Sequence, residues 1–261
     1  MPSPRSPPHM TIPLPSRSFA FIAAAVTFTA GFSEVQAQTY FFDFGDGNGN
    51  FVTSFDDEGN TWNTVPNTVS RSNDQIFDFI YDSLNNQSTL QLEMVSRFNS
   101  ENGNGTNASG LYPSSATRDS MYGNASIWEG LTNVTPKFKL TGLDPSKDYN
   151  FTFYASRTGV TDNRTTQYVV TGSAVGSTEL NVANNISNVA QLFNVSPEPT
   201  IGFNTGEVLV ELFPAASNTN GTTKFTYLGV MKVEVVPEPT SALMLASGIG
   251  ILTLRRRRRA A

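Results

Sequence analysis

The sequence predicts an all-β fold, a single antiparallel β-sandwich, on three observations. The chain is rich in Phe (19 of 261 residues), Val and Thr. Short runs alternate apolar and polar residues, and no stretch holds the 3.6-residue period of an amphipathic helix. Between the runs lie Gly, Asn and Asp turn signals. About 200 residues of such material are enough to bury a core without disulfides, as the absence of cysteine requires.

In chain order, residues 1–37 read as an export signal. Arg5 and Arg17 precede the apolar run from Phe19 to Phe32, and Val35-Gln36-Ala37 places small residues at the −3 and −1 positions of a signal-peptidase site. Cleavage after Ala37 leaves Gln38 as the first mature residue, and either Met1 or Met10 can be the start. Residues 38–236 form the sandwich domain. Tyr40-Phe-Phe-Asp-Phe44 is its first strand, and Asp46-Gly-Asn-Gly-Asn50 a turn. Ser88–Ser96 alternates, with Leu90, Leu92 and Met94 on one face. Asn99–Gly110 reads as a polar loop that packs against nothing. Strands follow at Pro136–Leu140, Tyr149–Arg157, Thr165–Thr171 and Glu207–Phe213. A last strand, Phe225–Val235, carries Phe225, Tyr227, Gly229, Met231, Val233 and Val235 in one row. Eight to eleven strands are expected in all, with no internal repeat. Leu143-Asp-Pro145 followed by Tyr149 resembles the tyrosine corner of fibronectin type III domains, which implies a phenol bonded to backbone just upstream.

Residues 237–261 are a tail in three parts: Pro237-Glu238-Pro239, an apolar run from Thr240 to Leu254, and the arginines 255–259. The run would make roughly 22 Å of helix, against a hydrocarbon core of ~30 Å. It suits a transient hold in the inner membrane, with the arginines as a cytoplasmic stop. The arrangement resembles the PEP-CTERM sorting signal of Gram-negative, exopolysaccharide-producing bacteria. That resemblance implies cleavage by an exosortase near Pro237-Glu238-Pro239, with signal peptidase acting at the other end. The precursor would sit in the inner membrane and the product at the cell surface or outside the cell.

Trimming both ends removes Glu34 and Glu238 from 22 acidic residues, and Arg5, Arg17 and five terminal arginines from 17 basic ones. The remaining 20 and 10 give a net charge of −10, which repels nucleic acid. The only histidine, His9, is lost with the signal, so the mature chain has no Ser-His-Asp or Cys-His machinery and no His- or Cys-ligated metal. Glu207 and Glu211 share a strand face but lie ~13–14 Å apart along it. Paired glycosidase carboxylates stand only ~5–9.5 Å apart. No catalytic residue is therefore assigned.

Two kinds of binding site remain. Asp46, Asn48 and Asn50 set oxygens at alternate positions, as the first half of a calcium loop does, and Asp43 or Asp57 would complete the shell. The match breaks at Phe51 and at Asp57, where that loop has Gly and Glu. For a glycan, Trp62, Tyr112, Tyr122 and Trp128 occur in polar surroundings where a ring can stack on the C–H face of a sugar, and Arg157 and Arg164 supply donors to its hydroxyls. From Tyr40-Phe-Phe-Asp-Phe-Gly45 to Tyr227-Leu-Gly-Val-Met231 the mature chain resembles galactose-binding-like jelly rolls, which implies a jelly-roll sandwich and a glycan ligand. The expectation is an exported, non-catalytic surface or matrix protein associated with exopolysaccharide. Its alternatives are a glycan-modifying enzyme that uses acidic residues alone, and a structural or adhesive protein.

Overall fold

Alternating Phe, Tyr and Val residues need a second apolar surface to cover them, and in the computed structural model two sheets supply it to each other. The structure describes residues 37–45 and 53–237; the signal, the Pro237-Glu238-Pro239 tail beyond its first residue, and the Asp46–Asn50 turn lie outside them. One sheet runs, edge to edge, Ala190–Val195 (β11), Tyr149–Tyr154 (β8), Val230–Val235 (β15), Thr39–Asp43 (β1) and Trp62–Thr64 (β2). The facing sheet runs Val175–Asn181 (β10), Thr165–Thr171 (β9), Gly206–Pro214 (β13), Lys137–Leu143 (β7), Gln91–Ser96 (β4) and Gln75–Phe77 (β3), with Glu198–Pro199 (β12) beside β13. Thr226–Leu228 (β14), Ser120–Gly123 (β6) and Ser100–Asn102 (β5) make a third, small sheet. Pairing is antiparallel except between β1 and β2. Two one-turn helices, Asn67–Ser70 (α1) and Ser114–Thr117 (α2), complete the described elements. Among the described residues no helix is long and apolar enough to cross a membrane.

The core lies between the two large sheets. Tyr149, Phe151 and Phe153 of β8 point into it from one side, and Tyr168 and Val170 of β9, Phe138 of β7 and Val208, Val210 and Leu212 of β13 from the other. Phe153 and Tyr168 stack across the interface at 4.5 Å and 1°. Phe44 meets Phe138 at 5.3 Å. Each such ring, fully buried, contributes about 1.5–3 kcal/mol relative to exposure. The opposite face of β13 is wet: Glu211 pairs with Lys137 at 2.6 Å and Glu207 with Lys139 at 3.2 Å. Both glutamates thus belong to ion pairs across the β7–β13 ladder. The corner anticipated at Tyr149 is present, with the Asp144 backbone N–H donating to Tyr149 Oη at 2.9 Å.

Three sequence expectations need correction. The described chain holds fifteen strands rather than eight to eleven, because several are only two or three residues long. The last strand is not continuous. Gly229 donates to Tyr154 O at 2.9 Å and accepts from Phe44 N at 2.7 Å, so β14 stays in the small sheet while β15 crosses to the large one. A Cβ at Gly229 would stand 3.0 Å from Asp119 O, which keeps the crossing tight. Finally, Asn99–Gly110 does pack. It holds β5, and Asn99, Asn102, Thr106 and Ser109 are buried with their polar groups bonded internally. Amide and hydroxyl side chains carry no apolar signal, so a buried polar segment reads like a loop.

Candidate functional site

The small sheet is too short to be a layer of its own; it serves as the floor of a cleft. β6 and β14 place Tyr122 and Tyr227 side by side, and Phe225 just ahead of β14 stands edge-on to Tyr122 at 5.3 Å. Above them Trp128 packs edge-on against Phe225 at 5.1 Å and 89°, and its Nε1 donates to Tyr122 Oη at 3.2 Å. Trp128 remains 43 % exposed, so a large part of the indole is open to solvent. The hairpin that carries it closes with reciprocal backbone bonds between Trp128 and Leu131. Its central residues, Glu129 and Gly130, both have positive φ, the type I′ requirement. The hairpin is fixed from beneath: Asn99 Nδ2 donates to Trp128 O at 3.0 Å and to Asn124 Oδ1 at 2.6 Å, and Asn124 Nδ2 donates to Ser126 O and Leu131 O.

The other wall comes from the segment after β8. Arg164 is locked: Nε donates to Asp162 Oδ1 at 3.1 Å, Nη1 to Tyr227 Oη at 2.6 Å, and the guanidinium lies 5.6 Å from the centre of the Phe225 ring. Burial works against its charge, but Tyr227 and Asp162 outweigh burial and its pKa is raised. Asp162 also accepts from Asn220, and the two donors hold its pKa below the ordinary value against the cost of burial. Arg157 differs. Its Nη1 donates to Thr158 O at 2.6 Å, and among the described residues it makes no ion pair. Its remaining donors are open to a ligand. Glu101, Asn104 and Glu129 add acceptors at the rim of a cavity of ≈ 250 Å³. Burial, the largest influence, raises the Tyr122 pKa and keeps that phenol neutral.

The cleft thus brings together Tyr122, Trp128, Arg157 and Arg164, four of the six glycan-binding candidates. Trp62 and Tyr112 are elsewhere. Trp62 is 5 % exposed, stacked on Phe41 at 4.8 Å, with Nε1 bonded to Asp56 Oδ2 at 3.0 Å. It is a core residue with no face to offer. Tyr112 packs edge-on to Trp62 and to Tyr154, and burial raises its pKa to about 12. It edges a shallow acidic depression shared with Asp56, Asp57 and Glu58. Sequence reasoning did not single out Asn99, Asn104, Phe225 or Tyr227. Alternation alone places Phe225 and Tyr227 in one strand row with Met231 and Val233, and the strand's break at Gly229 turns them to the cleft.

The calcium candidates also separate. Asp46, Asn48 and Asn50 lie outside the described residues. Asp57 is exposed on the acidic depression, whereas Asp43 is completely buried at the end of β1. Asp57 lies in the turn that the antiparallel bridge between Phe55 and Thr61 closes. Among the described residues no group of three or more His, Cys, Asp or Glu side chains gathers as metal ligands.

No family model and no curated protein matches the chain. Two solved structures match the chain at low similarity. One is the carbohydrate-binding module TmCBM61 in complex with β-1,4-galactotriose, with a TM-score of 0.26 and 11 % identity over 44 % of this chain and 70 % of that one. The other is the arabinose-bound α-L-arabinofuranosidase MgGH51, with a TM-score of 0.27 and 13 % identity over 56 % of this chain and 22 % of that one. The β-sandwich architecture itself rests on the strand pairing described above.

Proposed function

We propose that this chain is an exported, non-catalytic β-sandwich of the cell surface or extracellular matrix that binds exopolysaccharide through the Trp128 cleft. The supporting observation is the convergence of a half-exposed indole, a guanidinium that makes no ion pair among the described residues, and carboxylates and amides in the lining of one cavity. Stacking on Trp128 would hold the C–H face of one sugar ring, while Arg157, Asn104 and Glu129 would take its hydroxyls. With a net charge near −10 after processing, a neutral sugar suits this surface better than an anionic one.

The test is binding of the full chain to a panel of neutral and acidic oligosaccharides, followed by titration of the best of them. Trp128→Ala is expected to weaken binding roughly 30-fold, the effect of losing a ~2 kcal/mol contact at the centre of a site. Arg157→Ala should weaken it less, and binding of a neutral sugar should change little with salt. No sugar should be released from the bound oligosaccharide. Equal binding by Trp128→Ala would place the ligand elsewhere, and release of sugar abolished by a single Asp or Glu substitution would favour the enzyme reading.

Export carries its own prediction. Processing by signal peptidase and an exosortase would leave a chain from Gln38 to near Val236, which intact-mass analysis of protein from the native host reads directly. A mature species that keeps the arginine tail would count against exosortase processing.

A further inference from the structure

The most exposed large apolar side chains among the described residues, Ile201, Phe203 and Val175, all belong to the end of the sandwich opposite the cleft. They are 97 %, 71 % and 70 % exposed. Ile201 and Phe203 sit in the turn from β12 to β13, and Val175 opens β10 just after the turn from β9. Ser173 ties the two regions together: its N–H donates to Ser196 O at 2.9 Å and its Oγ to Pro197 O at 2.8 Å. Phe193, also exposed, lines one cavity with Val175 and Leu192. The cleft is remote. β9 runs from Thr165, next to Arg164, to Thr171 at this end. Seven steps of strand at ~3.3 Å each separate Arg164 from Thr171 by roughly 23 Å.

The chain leaves the sandwich at the same end. Val235 closes β15 opposite Tyr149, which pairs on its other side with Val195. Val236 N–H donates to Asp148 O at 2.8 Å, and Ser196 Oγ to Asp148 Oδ1 at 2.6 Å. After Val236 the sequence has only Pro237-Glu238-Pro239 before the apolar run from Thr240 to Leu254. Three residues reach at most about 11 Å. With that run held by a bilayer, this end of the sandwich stands at the headgroup layer. Scattered apolar residues on a surface need no partner, but several gathered at one end mark a contact. Asp144, Asp148 and Glu198 outnumber Lys147 here, so the contact is apolar and suits a zwitterionic surface better than an anionic one.

We propose that Val175, Phe193, Ile201 and Phe203 dock the sandwich on the lipid surface of the membrane that holds its tail, with the Trp128 cleft directed away from the bilayer. The inference rests on the membrane-held precursor of the proposed function, and it is independent of what the cleft binds.

The test uses the full chain reconstituted into phosphatidylcholine vesicles, with and without bromine on the acyl chains next to the headgroup. Flotation with the vesicles reads the hold of the tail, and tryptophan emission reads the docking. Trp62 is buried and Trp128 lies at the cleft, so wild-type emission should be the same in both vesicles. A tryptophan introduced by Phe203→Trp should enter the interface by ~5–10 Å, and the emission it adds should fall roughly twofold in the brominated vesicles. Adding Ile201→Asp and Phe193→Asp should abolish that quenching while flotation persists. Failure of the wild-type chain to float would remove the membrane-held precursor, and the docking with it. Flotation with Phe203→Trp unquenched would overturn the docking alone, whether or not its emission shifts to the blue; a blue shift would then mean that protein covers this end. Full quenching that survives the two aspartates would mean that the tether alone brings the end to the bilayer, and quenching of the wild-type chain would mean that another face lies on it; either would overturn the proposal.

Discussion

Phe153→Ala is expected to lower the unfolding free energy by about 3–5 kcal/mol, the range for deleting a buried aromatic ring and leaving a cavity. Phe153 is fully buried on β8, between β11 and β15, and stacks face to face on Tyr168 of the opposite sheet. It is therefore a contact between layers, which neither sheet can replace by sliding. For a domain of about 200 residues, that loss lowers the melting temperature by on the order of 10 °C. Urea unfolding should show a lower midpoint with an unchanged slope, since the surface exposed on unfolding hardly changes. Two comparisons sharpen the result. Tyr168→Phe keeps the ring but strips the buried Tyr227 carbonyl of the hydroxyl that donates to it at 2.7 Å, at a cost of about 1–3 kcal/mol. Phe193→Ala, at an aromatic position 61 % exposed on β11, should stay within about 0.5 kcal/mol of wild type. If Phe153→Ala cost no more than Phe193→Ala, the packing of the two layers described here would be wrong.

What the sequence made legible follows from which groups carry a local signal. Period-two alternation is written into each strand, so Leu90, Leu92 and Met94, or Tyr149, Phe151 and Phe153, could be assigned to the core before any fold was known. The Tyr149 corner was legible too, because its partner, Asp144, lies only five residues upstream. The cleft was half legible. Aromatic and arginine residues in polar surroundings identified Tyr122, Trp128, Arg157 and Arg164, yet the same criterion admitted Trp62, whose polar neighbour Asp56 turns out to bond its indole nitrogen in the interior. Composition cannot distinguish an indole beside a polar ligand site from one whose nitrogen is satisfied within the fold. The approach of Asp119 to Asp43 in the interior was illegible because the two lie far apart in sequence and meet only through packing. The buried amides of Asn99, Asn102 and Asn124 were missed for a different reason: their role is set by the bonds they make, and no periodicity announces it.

Asn99→Ala is accordingly expected to damage the cleft without touching its lining. The wild-type amide donates to two acceptors, Trp128 O and Asn124 Oδ1, from a position 2 % exposed. Alanine leaves both without that donor, for a combined cost of about 2–4 kcal/mol if the hairpin stays in place. The hairpin has a cheaper course. What else holds its tip is the pair of bonds between Trp128 and Leu131, the Asn124 amide and the contacts of the indole with Tyr122 and Phe225, all at or near the surface, so it can lift off its Asn124–Val134 base and let water reach the stranded acceptors. The loss would then appear as local opening more than as global unfolding. The chain has two tryptophans, of which Trp62 is buried and Trp128 is half open, so acrylamide quenching in a Trp62→Phe background reads Trp128 alone. Quenching should rise in Asn99→Ala while oligosaccharide binding falls at least tenfold, and the two changes should track each other, because stacking requires the indole to be held in place before the sugar arrives. Unchanged quenching with unchanged binding would mean that the hairpin's other contacts fix it without Asn99. Increased quenching with unchanged binding would mean that Trp128 is not the stacking residue.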